Sequence, residues 1–288
     1  MTVTAAVTQR GGLRDPLERL ARDRGALVGL AILTLTVALA VFAPAVSPYD
    51  PIEQQIRLRG QAPSGEHPLG LDEVGRDMFS RILFGARATV GGAFGAVLLA
   101  AIAGVGIGLF SGSARGRIDD VIMRIADGML AFPSIIIAVL AVVFLEPGML
   151  SVIAAVAIAD VPGYARLMRG QTLAVREQDY VLAAKAVGSS PLRVALRHVL
   201  PNTIAPIVVF SSLQIGSAII RLASLSFLGF GARPPEPEWG AMLNAAQAWL
   251  GTAPHISIVP GVAIVTLVVA FNLVGDGVRD ALDPRSSA

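Results

Sequence analysis

Long apolar runs separated by short polar stretches dominate the chain. A helix needs roughly 20 apolar residues to cross a hydrocarbon core of about 30 Å, and six runs come close to that length. We predict membrane spans at residues 27–46, 89–110, 118–145, 150–168, 205–228 and 258–274. The pattern therefore predicts an all-α, multi-pass membrane protein with six transmembrane helices.

Composition agrees with a membrane protein and excludes several kinds of chemistry. Hydrophobic residues make up 54% of the 288 residues and charged residues 15%, against about 25% charged in soluble domains. The lack of cysteine excludes disulfides and thiolate chemistry, and the three histidines do not have zinc-site spacing. A net charge of +2 is too small to indicate nucleic acid. We expect this chain to bind no cofactor and no metal.

The apolar runs divide the chain into segments. We predict an N-terminal segment at 1–26, a first transmembrane helix at 27–46, a loop at 47–86, a five-helix core at 87–278 and a tail at 279–288. A cleaved signal peptide is the competing interpretation of the first run, because Ala43-Pro44-Ala45 imitates a small-residue cleavage site. The run is longer than the apolar part of a usual signal peptide, so we favour an uncleaved span.

Basic residues are distributed unevenly between the two sides of this topology. Five precede the first span, three lie near the second connection, six lie from Arg166 to Arg197 and two lie in the tail, which places sixteen of the 23 on one side. Cytoplasmic segments of membrane proteins carry the excess of Lys and Arg. We therefore predict that both termini and the connection between the fourth and fifth spans are cytoplasmic.

That connection, residues 177–202, has the pattern of two short helices joined by a glycine, and we name it the elbow. Gly188 is the residue type that ends helices in a left-handed conformation. Ser190 suits an N-cap and Pro191 the first helical position, and we expect Pro201 to end the second helix. Such polar helices between membrane spans indicate a site for a soluble partner.

The second elbow helix is predicted to carry two stripes. Leu192, Leu196 and Val199 form an apolar stripe, and Arg193 and Arg197 lie one turn apart on another face. The two guanidinium groups could pair with acidic residues of a partner.

The elbow resembles the cytoplasmic signature loop of ABC importer permeases. The family pattern is Glu-Ala-Ala, three residues, Gly, nine residues, a hydrophobic residue, one residue and Leu-Pro. The matching positions are Ala183, Ala184, Gly188, Leu200 and Pro201. Leu182 stands where the family has Glu, and His198 where it often has Ile.

Three further stretches resemble the C-type permease of the dipeptide/oligopeptide/nickel branch of these importers. They begin at His67-Pro-Leu-Gly70, at Leu225-Ser-Phe-Leu-Gly229 and at Asn272. The resemblance implies an ABC type I importer permease fold in the inner membrane and an ATP-driven importer of di- and oligopeptides. The implied partners are a second permease subunit, two ABC ATPase subunits, an external substrate-binding protein, a peptide substrate and membrane lipid.

The resemblance also implies how the chain is coupled to the ATPases. The coupling loop would be 169–204, with contacts from Tyr180, Ala183, Ala184, Gly188, Arg193, Arg197 and Pro201. Lys185 is the single lysine, and the chain has no Gly-x4-Gly-Lys-Ser/Thr phosphate loop. We therefore expect ATP and Mg²⁺ to bind to the partner subunits and this subunit to be non-catalytic.

Two charged residues inside predicted spans are candidates for the translocation path. An ionisable residue at a helix centre costs about 2.5–3.5 kcal/mol on insertion, so such residues are functional candidates. Asp160 lies beside Pro162-Gly163, where we expect a broken helix, and Arg221 lies beside Leu222, which stands where the family commonly has Glu. Either the two residues meet the termini of a peptide, or they pair with each other or with the partner permease.

Three questions stay open in the sequence. Arg76, Asp77 and Arg81 are candidate contacts for the external binding protein, or else part of a solvated surface segment with internal ion pairs. Nickel chelates or glutathione could replace peptides as the cargo. A proton-coupled secondary transporter that uses Asp160 is the alternative to an ATP-driven importer.

Overall fold

The computed structural model describes residues 20–114 and 116–282, and these residues form a bundle of helices. The helices are α1 Arg24–Val41, α2 Ala43–Val46, α3 Met78–Ala114, α4 Arg117–Leu130, α5 Ser134–Val143, α6 Met149–Arg176, α7 Asp179–Ala186, α8 Pro191–Val194, α9 Leu200–Phe227, α10 Trp239–Ala246 and α11 His255–Leu282. Short 3₁₀ helices occupy Ile56–Leu58 and Gln247–Trp249, and a π-helix occupies Ala195–Val199. The prediction of an all-α membrane fold is confirmed.

Five helical stretches are long and apolar enough to cross a membrane. They are α1, α3, α6, the continuous helix from α8 through α9, and α11. The bent pair of α4 and α5, whose axes differ by 98°, is long and apolar enough to add a sixth span when its two helices are counted as one. The bend separates α5, which is apolar beyond Ser134, from α4, which carries Asp119, Asp120, Arg124 and Asp127.

Close contact between α3 and α6 holds the centre of the bundle together. Gly104 and Gly108 of α3 face α6, and a Cβ atom on Gly104 would lie 2.4 Å from the Tyr164 Cβ. A Cβ atom on Gly108 would lie 2.3 Å from the carbonyl oxygen of Ala165. Small residues are what allow membrane helices to approach this closely, so both positions require glycine.

One predicted boundary and one predicted helix break are wrong. Helix α3 begins at Met78, so the last residues of the predicted loop at 47–86 are helical. Helix α6 is uninterrupted, with Pro162 inside it, and the predicted break at Pro162-Gly163 does not occur. A proline in a membrane helix is tolerated where packing and small local adjustments compensate for the missing hydrogen bond, and Pro162 is buried in the bundle.

The two chain ends are described only in part. Helix α11 continues to Leu282, so the predicted tail from residue 279 begins inside a helix. Residues 1–19 of the predicted N-terminal segment and residues 283–288 of the tail lie outside the described residues.

Candidate functional site

The elbow turns at Gly188, where φ is +84°. The Gly188 N–H donates to the Lys185 carbonyl and the Ser189 N–H to the Ala184 carbonyl, both at 3.0 Å. This pair of hydrogen bonds is the Schellman arrangement that ends a helix through a left-handed residue. No atom lies within 4 Å of a Cβ added to Gly188, so the backbone conformation, and not space, requires glycine there. The predicted end of the first elbow helix is confirmed.

The second elbow helix begins as predicted but does not end as predicted. The Ser190 Oγ accepts a hydrogen bond from the Arg193 N–H at 3.4 Å, and Pro191 takes the first helical position. Pro201 does not end the helix, because the helical backbone runs on from α8 through the π-helix into α9. A proline ring clashes with the carbonyl four residues earlier, and the wider π turn directly before Pro201 relieves that clash.

Three valines hold the elbow against the bundle. Val181, Val194 and Val199 are 0%, 5% and 2% exposed. They pack with Leu109 of α3 and Met168 of α6. The inner face of the elbow is therefore a small apolar core of its own.

The outer face of the elbow differs from the prediction. Leu192 and Leu196 are 69% and 51% exposed, so they do not share a buried stripe with Val199; the π turn changes the spacing on which that prediction depended. Arg193 and Arg197 are exposed as well. Within the described residues neither arginine is paired with a carboxylate. The other predicted contacts, Tyr180, Ala183 and Pro201, are exposed, and Ala184 is half-buried.

The two charged residues inside the membrane spans meet each other. The Arg221 Nη2 lies 2.5 Å from the Asp160 Oδ2, which joins α9 to α6. Both side chains are largely buried, with 13% and 4% exposed. Of the alternatives left open by the sequence, mutual pairing is the one observed. The Arg221 Nε is buried and has no hydrogen-bond partner among the described residues, so the guanidinium keeps unused donor capacity.

A second hydrogen bond joins the same two helices next to this pair. The Tyr164 hydroxyl donates to the Ser211 Oγ at 3.0 Å, and Tyr164 is fully buried. Its ring also meets Phe210 edge to face, with 4.9 Å between ring centroids. The contact between α6 and α9 thus combines an ion pair, a hydrogen bond between side chains and an aromatic contact.

The charged residues of the segment at 67–81 are buried or half-buried, whereas Asp50, Glu53, Arg57, Arg59 and Glu66 before it are exposed. Arg76, Asp77 and Arg81 are 5%, 3% and 4% exposed. The Arg76 Nε donates to the Asp72 Oδ2 at 2.6 Å. The Arg81 Nη1 donates to the Pro51 carbonyl at 2.9 Å. The interpretation as an internal network is the better one, although its members are buried and not solvated.

Asp77 completes this network by capping α3. Its Oδ2 accepts from the Ser80 N–H and from the Ser80 Oγ, both at 2.7 Å. Its Oδ1 lies 2.9 Å from the His67 Nδ1. Contact of Arg76, Asp77 and Arg81 with a binding protein stays a prediction, and it is disfavoured because little of these side chains is accessible.

Glu238 is a buried carboxyl group that the sequence reasoning missed. It is 0% exposed and forms the N-cap of α10, accepting from the Gly240 N–H at 2.9 Å and the Ala241 N–H at 2.8 Å. Burial raises the pKa of Glu238, and these two backbone donors act in the opposite direction. Glutamate is not among the preferred N-cap residues, and the sequence signal was therefore only that a negative charge is favoured at the N-terminus of a helix.

Residues 20–114 and 116–282 contain no group of three or more His, Asp or Glu side chains placed to hold a metal ion. The expectation that the chain binds no cofactor stays a prediction.

A six-span bundle with a helix–glycine–helix elbow defines a membrane permease of the binding-protein-dependent kind. The family described as binding-protein-dependent transport system inner membrane component matches residues 104–288. The family described as N-terminal TM domain of oligopeptide transport permease C matches residues 13–63. The chain belongs to these ABC importer permeases, as a C-type permease of the dipeptide/oligopeptide/nickel branch.

Known proteins with similar sequences cover nearly the whole chain. The glutathione transport system permease protein GsiD of Pectobacterium atrosepticum is 43% identical over 99% of this chain and 96% of its own. The dipeptide transport system permease protein DppC of Alkalihalophilus pseudofirmus is 42% identical over 94% of this chain and 90% of its own. A chain in inward-facing structures of the MetNI methionine ABC transporter matches with a TM-score of 0.58 at 18% identity, covering 72% of this chain and 98% of that one. The last likeness supports the fold alone.

Proposed function

We propose that this permease subunit imports short peptides or peptide-like solutes. It forms half of the pathway with a homologous permease, and two separate ATPases drive it through the elbow. A substrate-binding protein delivers the cargo from outside, and the elbow and both termini lie in the cytoplasm. In this arrangement ATP and Mg²⁺ belong to the partner subunits.

The geometry of the elbow is the observation that carries this proposal. Its inner side is fixed by Val181, Val194 and Val199, which are nearly inaccessible. Its outer side presents Arg193 and Arg197 without carboxylate partners among the described residues. A surface that is rigidly backed and positively charged on its free side suits an acidic groove on a soluble partner.

Transmission from the elbow into the membrane follows from the continuous helix. Because no loop separates α8 from α9, a displacement of the elbow is carried directly into the fifth span. That span bears Arg221, the candidate path residue paired with Asp160.

The proposed substrate class rests on the chemistry that is shared by the two substrates given in the relatives' names. A dipeptide and glutathione are both small peptide-like molecules with free carboxylate and ammonium groups. Arg221 has donor capacity to spare for a carboxylate. We therefore expect uptake of dipeptides and glutathione to compete with each other. In Arg221→Ala, a loss confined to substrates of particular charge supports a path role, whereas an equal loss for all substrates supports a structural role.

Replacement of Gly188 by valine tests the coupling role. A non-glycine residue in the left-handed region is strained by about 1–2 kcal/mol, so the elbow should lose its shape while the bundle stays folded. We expect peptide import into proteoliposomes containing the whole transporter to fall about tenfold or more, with ATP hydrolysis retained.

The matched control is Gly91→Val, on α3, where a Cβ meets nothing within 4 Å and φ is not positive. This control should import normally. Wild-type import by Gly188→Val would contradict the coupling role. Uptake that is independent of ATP and abolished by a protonophore would instead support a secondary transporter.

A further inference from the structure

Two adjoining cavities lie beneath the elbow, where α3 and α6 end. A cavity of about 230 Å³, which we name the polar cavity, has polar side chains in its lining beside the apolar Val194 and Val199; the polar ones are Arg176, Lys185, Ser113, Thr172 and Ser189. An apolar groove of about 420 Å³ is lined by Gly106, Leu109, Phe110, Leu192 and Leu196. Ser113, Pro191 and Ala195 border both, so the polar cavity lies directly beside the apolar groove.

The polar cavity carries uncompensated positive charge. The Lys185 Nζ is 3.4 Å from the carbonyl oxygen of Arg176, and Lys185 is paired with no carboxylate in the described part of the chain. Arg176 donates through Nη1 to the Gly112 carbonyl. Its Nε lies 3.5 Å from the exposed Glu177 carboxylate, which neutralises Arg176 in part. Lys185 is therefore the cation left for an anionic ligand.

We infer that the two cavities together bind one anionic phospholipid. Its phosphate head group lies beside Lys185 and Arg176, and one acyl chain lies along α3 in the apolar groove. Basic pockets between transmembrane helices are sites for anionic lipid head groups. A free phosphate ion would leave the apolar groove unused, whereas a phospholipid matches both cavities and the position at the end of a span.

The ligand would contact the elbow through Pro191 and Ala195, which border both cavities, and through Leu192 and Leu196 in the groove. Arg193 and Arg197 line neither cavity and are exposed. An anionic lipid would thus support the elbow from within the membrane without competing for the outward arginines. This inference does not depend on the identity of the transported substrate.

Native mass spectrometry of the whole transporter in mild detergent tests the site, with phosphatidylglycerol and phosphatidylethanolamine as probes. We expect the wild type to retain phosphatidylglycerol in preference. Lys185→Gln should weaken that binding about fivefold, the effect of one basic residue at an anionic head group, with phosphatidylethanolamine unaffected. Gly106→Leu should weaken both lipids by filling the groove, since a Cβ there meets nothing within 4 Å and the fold needs no adjustment.

Each variant has a matched control. Arg193→Gln removes the same charge from the outward face of the elbow, and Gly91→Leu adds the same side chain to α3 at a second open position. Both controls should retain phosphatidylglycerol at the wild-type level. Equal retention of the two lipids by the wild type would overturn the inference. Full retention of phosphatidylglycerol by both Lys185→Gln and Gly106→Leu would overturn it as well. In either case the bound lipid would belong to an unspecific annulus around the protein.

Discussion

The elbow and the segment at 67–81 look alike as sequences and are opposite as structures. Both are polar stretches next to membrane spans, and both combine glycine, proline and arginine. In the elbow Arg193 and Arg197 are exposed. In the other segment Arg76 and Arg81 are nearly inaccessible and lie against Asp72. The arginines of the elbow are thus exposed to the surroundings, whereas those of the other segment form buried ion pairs within the fold.

The difference follows from where the acidic residues are. Asp72 and Glu73 lie within four positions of Arg76 and contact it at 2.6 and 2.5 Å. Residues 190–202 contain Arg193 and Arg197 and no acidic residue. A cation is buried only where a counter-charge compensates for the loss of water, so local counter-charges decide which arginines can turn inward.

The largest effect is expected from Asp72→Ala. This change removes the carboxylate that accepts from Arg76 and lies 3.2 Å from the Arg81 Nε. Breaking a buried charge pair typically costs about 3–5 kcal/mol, so the unfolding free energy should fall by about that amount. Thermal unfolding of the purified protein, followed by tryptophan fluorescence, measures it.

Asp179→Ala is the control in the elbow. Asp179 is exposed in the first turn of α7, where a carboxylate contributes at most about 1 kcal/mol. Equal losses in the two variants would contradict the contrast between a buried network and a free surface.

A smaller effect is expected from the apolar side of the elbow. Val181→Ala removes two methyl groups from a fully buried site, which should cost about 2 kcal/mol. Hydrogen exchange of the elbow amides should then be about thirty times faster, if exchange occurs through local opening. Val187→Ala, at a residue 84% exposed, should leave exchange unchanged. A similar acceleration in both variants would mean that Val181 does not anchor the elbow.

The smallest effect on stability is expected from the double variant Arg193→Ala, Arg197→Ala. Exposed side chains without partners contribute within about 0.5 kcal/mol, so thermal unfolding should match that of the wild type. Peptide import should nevertheless fall, while the ATPases still hydrolyse ATP. A loss of 2 kcal/mol or more would show that the arginines have partners inside the protein.

Local signals in the sequence predicted the parts of the fold that local physics determines. Gly188, Ser190 and Pro191 each occupy the predicted helix end or start, because caps depend on neighbouring residues only. The same local rules failed at Pro162 and Pro201, where a packed neighbour or a π turn overrides the preference of proline to end a helix. Long apolar runs predicted the number of spans but not their ends.

Local signals could not predict contacts between residues that are far apart in the sequence. Asp160 and Arg221 are 61 positions apart, and their pairing could be stated only as one of several alternatives. The burial of Arg81 depends on the carbonyl of Pro235, 154 positions away. Its sequence neighbourhood therefore predicted a surface residue. Family resemblance supplied the type of protein, but it could not supply these contacts.

The unbroken helix from the elbow through α9 has a geometric consequence for the ion pair. Arg221 lies 21 residues beyond Leu200, or about 32 Å along a helix that rises about 1.5 Å per residue. If this helix turned as a rigid rod about its elbow end, a tilt of about 5° would displace Arg221 by about 3 Å. Directed away from Asp160, that displacement would lengthen the 2.5 Å contact to about 5.5 Å, beyond the limit of about 4 Å for an ion pair. A rotation too small to alter the outline of the bundle would therefore be enough to separate the two charges.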